Sequence, residues 1–233
     1  MKRPGRPAGF AIIGAAWIIA IAGLVALGIW QVERLAWKQN LISQVAARLS
    51  ASPTPPPVIV GSEDAYRRVV AVGVFLQARD TLVQASTIRG PGWWIITPLR
   101  STGGHLILIN RGYVPVRSAP PPPARRVTVT GLLRLTEPGG GFLRSNDPVA
   151  DRWYSRDVAA IAARRGLGTT APYFIDADAS GPGANAPVAG LTVVRFSNNH
   201  LVYAITWFIL AFMAAGGLVY WIAASDHGSE PIE

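Results

Sequence analysis

Two long apolar segments limit what this chain can fold into. Residues 10–30 and 201–223 hold 21 and 23 residues respectively, and neither segment contains a charged side chain. At a helical rise of about 1.5 Å per residue, each segment is long enough to cross the roughly 30 Å hydrocarbon core of a bilayer. The sequence therefore predicts a membrane protein in which two transmembrane α-helices flank one polar domain.

The predicted organisation has six parts. They are a cytoplasmic basic N-terminus (1–9), transmembrane helix 1 (10–30), a stem helix (31–52), an extracytoplasmic mainly-β domain (53–200), transmembrane helix 2 (201–223) and a cytoplasmic tail (224–233). Lys2, Arg3 and Arg6 precede the first span, and short basic flanks favour the cytoplasmic side. Two spans then return the C-terminus to the cytoplasm. Helix 1 is expected to be an uncleaved anchor, because its apolar stretch is longer than that of a typical signal peptide.

The polar segment is predicted to be an antiparallel β (α+β) domain with one short helix. Residues 31–49 lack Pro and Gly and extend the first helix, which the prolines after Ser52 should end. Segments rich in β-branched and alternating residues predict strands. These segments are 67–76, 81–88, 93–99, 105–110, 126–135, 172–176 and 191–196. The short helix is expected at 155–165, with Ser155 as its N-cap. This pattern is compatible with a small, partly closed barrel.

Composition and motif spacing exclude several classes of function. The net charge of +9 is mostly arginine, but the excess is scattered, which argues against a nucleic-acid partner and favours anionic headgroups or an acidic ligand. The absence of cysteine excludes disulfides, thiolate copper sites and thiol redox chemistry. No serine stands in a nucleophile elbow, and the neighbours of Asp176 and Asp178 favour a solvated turn. The sequence thus predicts a protein that is not an enzyme.

The strongest candidate for a binding site lies where the second span begins, in the stretch NNHLVYAITWF (198–208). An imidazole near hydrocarbon costs free energy unless it is paired. On a helix His200, Tyr203 and Trp207 share one face, so the imidazole could ligate the metal of a large planar cofactor that rests on the two aromatic rings. An interfacial aromatic belt accounts for these residues equally well. Both interpretations stay open at this point.

The small residues in the two spans are predicted to be contacts between the helices. Gly28 and the Ala-Gly-Gly segment at 215–217 are expected to let the two helices approach closely.

Five motifs resemble those of the Surfeit-locus-one (Shy1-like) family of cytochrome c oxidase assembly proteins. They are LGIWQVERLAWKQNLI (27–42), GWWIITPL (92–99), LINRGYVP (108–115), GLLR (131–134) and NNHLVYAITWF (198–208). Each motif alone is a weak indication, but five in the family's order between two spans make the resemblance specific.

The resemblance implies an assembly factor, not an enzyme, in the bacterial inner membrane with a periplasmic middle domain. Such a protein binds haem a and delivers or presents it to the nascent catalytic subunit of the oxidase. The family's proposed haem ligand is a second-helix histidine, whose place His200 occupies, with Tyr203 and Trp207 as supporting rings. Arg34 and Arg195 are hypothesised to pair with the haem propionates.

The expected partners are the oxidase catalytic subunit, other oxidase assembly factors and the lipid bilayer, and the sequence also allows a homo-oligomer. A second hypothesis is a haem-free membrane scaffold that stabilises oxidase assembly intermediates.

Overall fold

The structure is a computed structural model, which describes residues 8–141, 143–179, 186–192 and 196–227. The chain divides into two compact units. The helical unit comprises Met1–Ser43 and Arg195–Glu233, and the β unit comprises Gln44–Val194.

Two long helices form the helical unit and confirm the predicted fold class. Helix α1 (Ala8–Ser50) runs without interruption through the predicted first span and stem, and its last residues belong to the β unit. Helix α3 (His200–His227) covers the second predicted span. Their most apolar windows have mean hydropathies of 2.6 and 2.0, so both helices are long and apolar enough to cross a membrane. At about 65 Å, α1 is roughly twice as long as a bilayer core is thick.

Eight strands and one short α-helix make up most of the β unit. The strands are β1 (Arg68–Phe75), β2 (Thr81–Thr87), β3 (Gly90–Ser101), β4 (Leu106–Val114), β5 (Val127–Leu135), β6 (Gly140–Gly141), β7 (Arg144–Ser145) and β8 (Thr170–Ala177). A 3-10 turn (Ser62–Asp64) precedes β1, and helix α2 (Val158–Arg165) precedes β8. Six of the predicted strands are therefore present, each with its ends shifted by a few residues.

The six long strands form a small closed barrel with one appended strand. Their order is β1-β5-β8-β4-β3-β2, and β1 also pairs with β3, which closes the first five strands into a ring. The long β3 makes this closure by pairing with β2 through Gly90–Ile96 and with β1 through Leu99–Ser101. The β4–β8 pair is parallel, and every other pair in this sheet is antiparallel.

Strand β4 separates two apolar cores, and all nine of its residues are buried. Successive side chains of a strand point to opposite faces. Ile107 and Ile109 accordingly pack in the barrel interior, whereas Leu106 and Leu108 pack outside it against Ile161 of α2. A continuous apolar run is expected for a strand that is covered on both faces.

Two local predictions need correction or fall outside the described residues. Asp157, not Ser155, caps α2, because its carboxylate accepts the Ala160 amide, while the Ser155 hydroxyl donates to the Glu137 carbonyl at 2.7 Å. In the predicted strand at 191–196, Leu191 and Thr192 are not in a strand. Residues 193–195 lie outside the described part of the chain.

The solvated turn expected for Asp176 is wrong, because this carboxylate is 3% exposed at the end of β8. Arg134 donates to it at 2.8 Å and Arg156 at 3.3 Å. Asn110 and Thr192 complete its hydrogen bonds at 2.8 and 2.9 Å. A buried carboxylate needs partners of this kind to offset its lost hydration. Asp178, by contrast, lies in a bend after the strand and pairs with Arg68 at 2.6 Å.

Glu137 extends this ionic cluster through Arg156, whose guanidinium lies 2.6 Å from its carboxylate. Burial acts to raise the pKa of Glu137, but the hydrogen bonds and charge of Arg156 outweigh it, so the pKa falls below its ordinary value. A carboxyl pKa that is lower in the folded state stabilises the fold at neutral pH. That contribution is lost as the pH falls through the folded-state pKa.

We expect Asp176→Ala to destabilise the β unit by about 2–3 kcal/mol, because two part-buried guanidinium groups lose one of the two carboxylates that they share, while Glu137 still pairs with both. Chemical denaturation of the full-length protein in detergent, followed by tryptophan fluorescence, measures the change. Asp178→Ala is the matched control. Its exposed pair with Arg68 should contribute no more than about 1 kcal/mol, and equal effects of the two substitutions would contradict the assignment.

Candidate functional site

Helices α1 and α3 pack closely within the helical unit. A Cβ atom added to Gly28 would lie 2.6 Å from Cε1 of Phe208, so the phenyl ring rests directly on the α1 backbone. Towards the other end of the pair, a Cβ atom on Gly217 would lie 3.1 Å from the Trp17 ring. The close approach predicted at Gly28 and Gly217 is confirmed, as expected for small residues at a helix interface in a membrane. At Gly216, by contrast, nothing lies within 4 Å of an added Cβ atom.

His200 is the first residue of α3 and is hydrogen-bonded to α1. Its Nδ1 lies 2.8 Å from Oε1 of Gln31, which is only 8% exposed. An amide oxygen is an acceptor, so the imidazole donates this bond. A neutral imidazole carries one proton, and protonation of Nδ1 leaves a free lone pair on Nε2. Among the described residues, Gln31 is the one hydrogen-bond partner of this ring.

The predicted aromatic face is divided between two environments. The buried face of α3 runs through Ala204 and Ala211, which are 2% and 5% exposed. Trp207 lies beside this face and is half-buried, whereas Tyr203 is 54% exposed. The structure therefore keeps His200 and Trp207 near the helix interface and turns Tyr203 outward.

Two buried polar atoms near this helix end have no hydrogen-bond partner among the described residues. They are Nε1 of Trp207, a donor, and Oδ1 of Asn198, an acceptor. Buried polar atoms of proteins are nearly always paired with protein groups or with ordered water. The Trp207 donor lies on the same side of α3 as His200, about two turns along.

The predicted basic residues also lie on α1. The Arg34 guanidinium is 5.0 Å from the centre of the Trp37 ring and 5.9 Å from that of Trp30, and all three side chains are exposed. Lys38 follows one turn later, with Nζ 5.5 Å from the centre of the Phe196 ring. Arg195 lies outside the described residues, so its predicted role stays a prediction.

Sequence reasoning did not predict the contact between Gln31 and His200. The position of Gln31 directly after an apolar span was the one indication in the sequence of such a contact. A glutamine that is buried there needs a polar partner. Its partner lies 169 residues further along the chain, and the spacing of residues within one helix does not predict contacts over that separation.

The LINRGYVP motif stabilises the barrel. Asn110 donates to Asp176, and Arg111 donates from Nε to the Thr97 hydroxyl at 2.7 Å. Gly112 has φ +128°, and a Cβ atom there would lie 2.6 Å from the Val188 carbonyl group. Burial lowers the pKa of Arg111, although the charge of Asp80 opposes the shift. These contacts assign the motif to the fold of the β unit.

No group of three or more His, Asp or Glu side chains is arranged to hold a metal ion within the part of the chain that the structure describes.

Comparison with known proteins identifies the family. The SURF1 family model matches residues 18–212, which include most of α1, the whole barrel and the first part of α3. The chain belongs to the SURF1 family. It is similar to Surfeit locus protein 1 of Rattus norvegicus, with 33% identity over 206 residues, and of Homo sapiens, with 31% identity over 222 residues. It is also similar to the SURF1-like protein of Monosiga brevicollis, with 33% identity over 219 residues.

These alignments cover most of this chain and less of its SURF1 relatives. They include 78%, 84% and 84% of this chain, and 66%, 73% and 81% of the rat, human and Monosiga proteins. The chain thus spans about two thirds of the length of the rat protein. The family that the five motifs indicated is confirmed, and the matched region contains both Gln31 and His200.

We expect Gly28→Leu to destabilise the helix pair by about 1–3 kcal/mol, because the added side chain overlaps the Phe208 ring and forces the helices apart. Unfolding of the detergent-solubilised protein by sodium dodecyl sulfate measures the change. Gly23→Leu is the control on the same helix, since nothing lies within 4 Å of a Cβ atom added there. If the two variants unfolded alike, Gly28 would not be a packing contact.

Proposed function

We propose that this protein is an assembly factor for a haem–copper cytochrome c oxidase. It binds haem a through His200 and delivers or presents the haem to the nascent catalytic subunit. Membership of the SURF1 family supports the role in oxidase assembly. The observation that carries the haem proposal is the hydrogen bond from Nδ1 of His200 to Gln31, which leaves Nε2 free to ligate iron.

The residues around His200 fit a haem. A haem iron needs one or two axial ligands from protein, and a neutral imidazole is the commonest of these. The exposed Tyr203 ring offers an aromatic surface one turn after His200 on the same helix. Haem a is the cargo in this proposal, and it supplies the redox centre of the finished oxidase.

The cationic residues that follow Gln31 on α1 match the negative charge of the haem propionates. Arg34 and Lys38 follow Gln31 at three and seven residues on α1. Their cationic groups match the anionic propionates, and the exposed guanidinium can bind a carboxylate in a bidentate manner. Trp30 and Trp37 hold the guanidinium by cation–π contacts without neutralising its charge.

The proposed setting is the cytoplasmic membrane of a bacterium, with both termini in the cytoplasm and the β unit in the periplasm. The basic residues before α1 support this orientation. The chain would there contact lipid, the oxidase catalytic subunit and other assembly factors.

Replacement of His200 tests the haem proposal. The full-length protein and His200→Ala are purified from cells that make haem a, and haem is quantified as the pyridine haemochrome. We expect haem in the wild type and almost none in the variant, because the substitution removes the ligand atom. His105→Ala is the matched control, since His105 is exposed in the turn between β3 and β4 and belongs to the other unit.

Two results would contradict haem binding at His200. Equal haem in the wild type and in His200→Ala would show that another residue holds it. A haem-free wild type that still co-purifies with oxidase subunits would support the alternative function, a membrane scaffold that stabilises assembly intermediates.

We expect Arg34→Ala to weaken haem binding by up to about fivefold, because exposed ion pairs contribute about 0–1 kcal/mol. Titration of the haem-free protein with haem, followed by Soret absorbance, measures the affinity. Arg34→Lys keeps the charge and should retain most of it. Unchanged affinity and an unchanged spectrum in Arg34→Ala would remove this residue from the site. The same assay applies to Arg195→Ala.

A further inference from the structure

Gln31 is buried where α1 passes the first residue of α3, and its amide has a defined partner. The amide oxygen lies 2.8 Å from Nδ1 of His200, and the side chain is 8% exposed. A buried amide oxygen that loses its donor is left unsatisfied, which destabilises the structure. The hydrogen bond therefore stabilises both side chains in this arrangement.

The packing of the two helices fixes the position of Gln31 relative to His200. Gly28, one turn before Gln31, lies against Phe208, and Ala204, one turn after His200, is buried. These contacts hold the two helices at close range near the pair. If the bond broke, the buried Gln31 amide would be left without this partner at the edge of an apolar span.

We propose that Gln31 is a positioning residue that holds His200 in the Nδ1-protonated tautomer, so that Nε2 is the ring nitrogen available for coordination. Rotation that placed Nδ1 outward would break the bond to Gln31, so the amide selects both the tautomer and the ring orientation. The use of this tautomer for haem coordination rests on the proposed function. The tautomer itself is a property of the haem-free protein.

The hydrogen bond has a second effect on the ligand. An acceptor on Nδ1–H makes Nε2 a stronger electron donor, and partners of this kind change metal affinity by about 10–100-fold. A neutral amide has a smaller effect than a carboxylate would have. Gln31 thus sets the strength of His200 as a ligand as well as its direction.

The first test measures the tautomer without haem. The chain has three histidines, so His105→Gln and His227→Gln leave His200 as the only imidazole. Nitrogen-15 NMR of the ring-labelled, haem-free protein in detergent at a pH where the ring is neutral distinguishes a protonated Nδ1 from a protonated Nε2. We expect a protonated Nδ1 when Gln31 is present. In Gln31→Leu we expect a shift towards a protonated Nε2, the form that free histidine prefers.

The matched control is Gln39→Leu, the same change at an exposed position of α1, which should leave the tautomer unchanged. A protonated Nε2 in the presence of Gln31, or the same tautomer with and without Gln31, would overturn the inference. Neither outcome depends on whether the protein binds haem, so failure of the inference is distinguishable from failure of the proposed function.

The second test uses haem a as the probe. Gln31→Leu should weaken its binding by about 10–100-fold, and Gln31→Glu should restore binding and lower the reduction potential of the bound iron relative to the wild type. If Gln31 had a purely structural role, Gln31→Glu would not lower the reduction potential of the bound iron. Equal affinity and potential in the wild type, Gln31→Leu and Gln31→Glu would contradict the effect on ligand strength.

Discussion

The close contact between α1 and α3 is the constraint on which the candidate site depends. Gly28 lets the Phe208 ring touch the α1 backbone, and Gly217 does the same for Trp17 towards the other end of the pair. Helices in lipid gain little from the hydrophobic effect, so their association depends on close packing and on hydrogen bonds. Both kinds of interaction occur here, because the packed glycines bring the polar ends of Gln31 and His200 to 2.8 Å. A larger residue at Gly28 would therefore disturb a site that it does not touch.

Buried polar groups also require partners in the β unit, where they form an ionic cluster. Asp176, Arg134, Arg156 and Asn110 satisfy one another at the end of the barrel. Within this cluster the carboxylates of Asp176 and Glu137 are paired with the two guanidinium groups. At the end of α3, in contrast, the imidazole keeps one nitrogen free, and two other buried polar atoms lack partners among the described residues. The distinction between a satisfied network and an incomplete one locates the candidate site in the helical unit.

Sequence reasoning predicted local structure well because hydrophobic periodicity and proline chemistry act over a few residues. It placed both long helices, six strands and α2, and it identified Gly28 and Gly217 as packing residues. It failed where partners are distant in sequence. Asp176 precedes a Gly-Pro pair and resembles a turn residue, yet Arg134 and Arg156 bury it within the sheet. Gln31 resembles a solvated stem residue until the packing of α3 supplies His200. The helix interface follows Ala204 and Ala211, and the role of Tyr203 beside a cofactor stays a prediction.

The chemical nature of Gln31 follows from where it lies. A carboxylate would be the stronger acceptor for Nδ1–H, but ionising it beside an apolar span carries a desolvation penalty of several kcal/mol unless a cation pairs with it. Arg34 is on the same helix, yet it is exposed and stacks with two tryptophans, so it is not positioned to neutralise a buried charge at residue 31. An amide supplies a directional acceptor without a net charge. It also polarises the imidazole only moderately, which under the proposed function favours a ligand bond strong enough to hold haem and weak enough to release it.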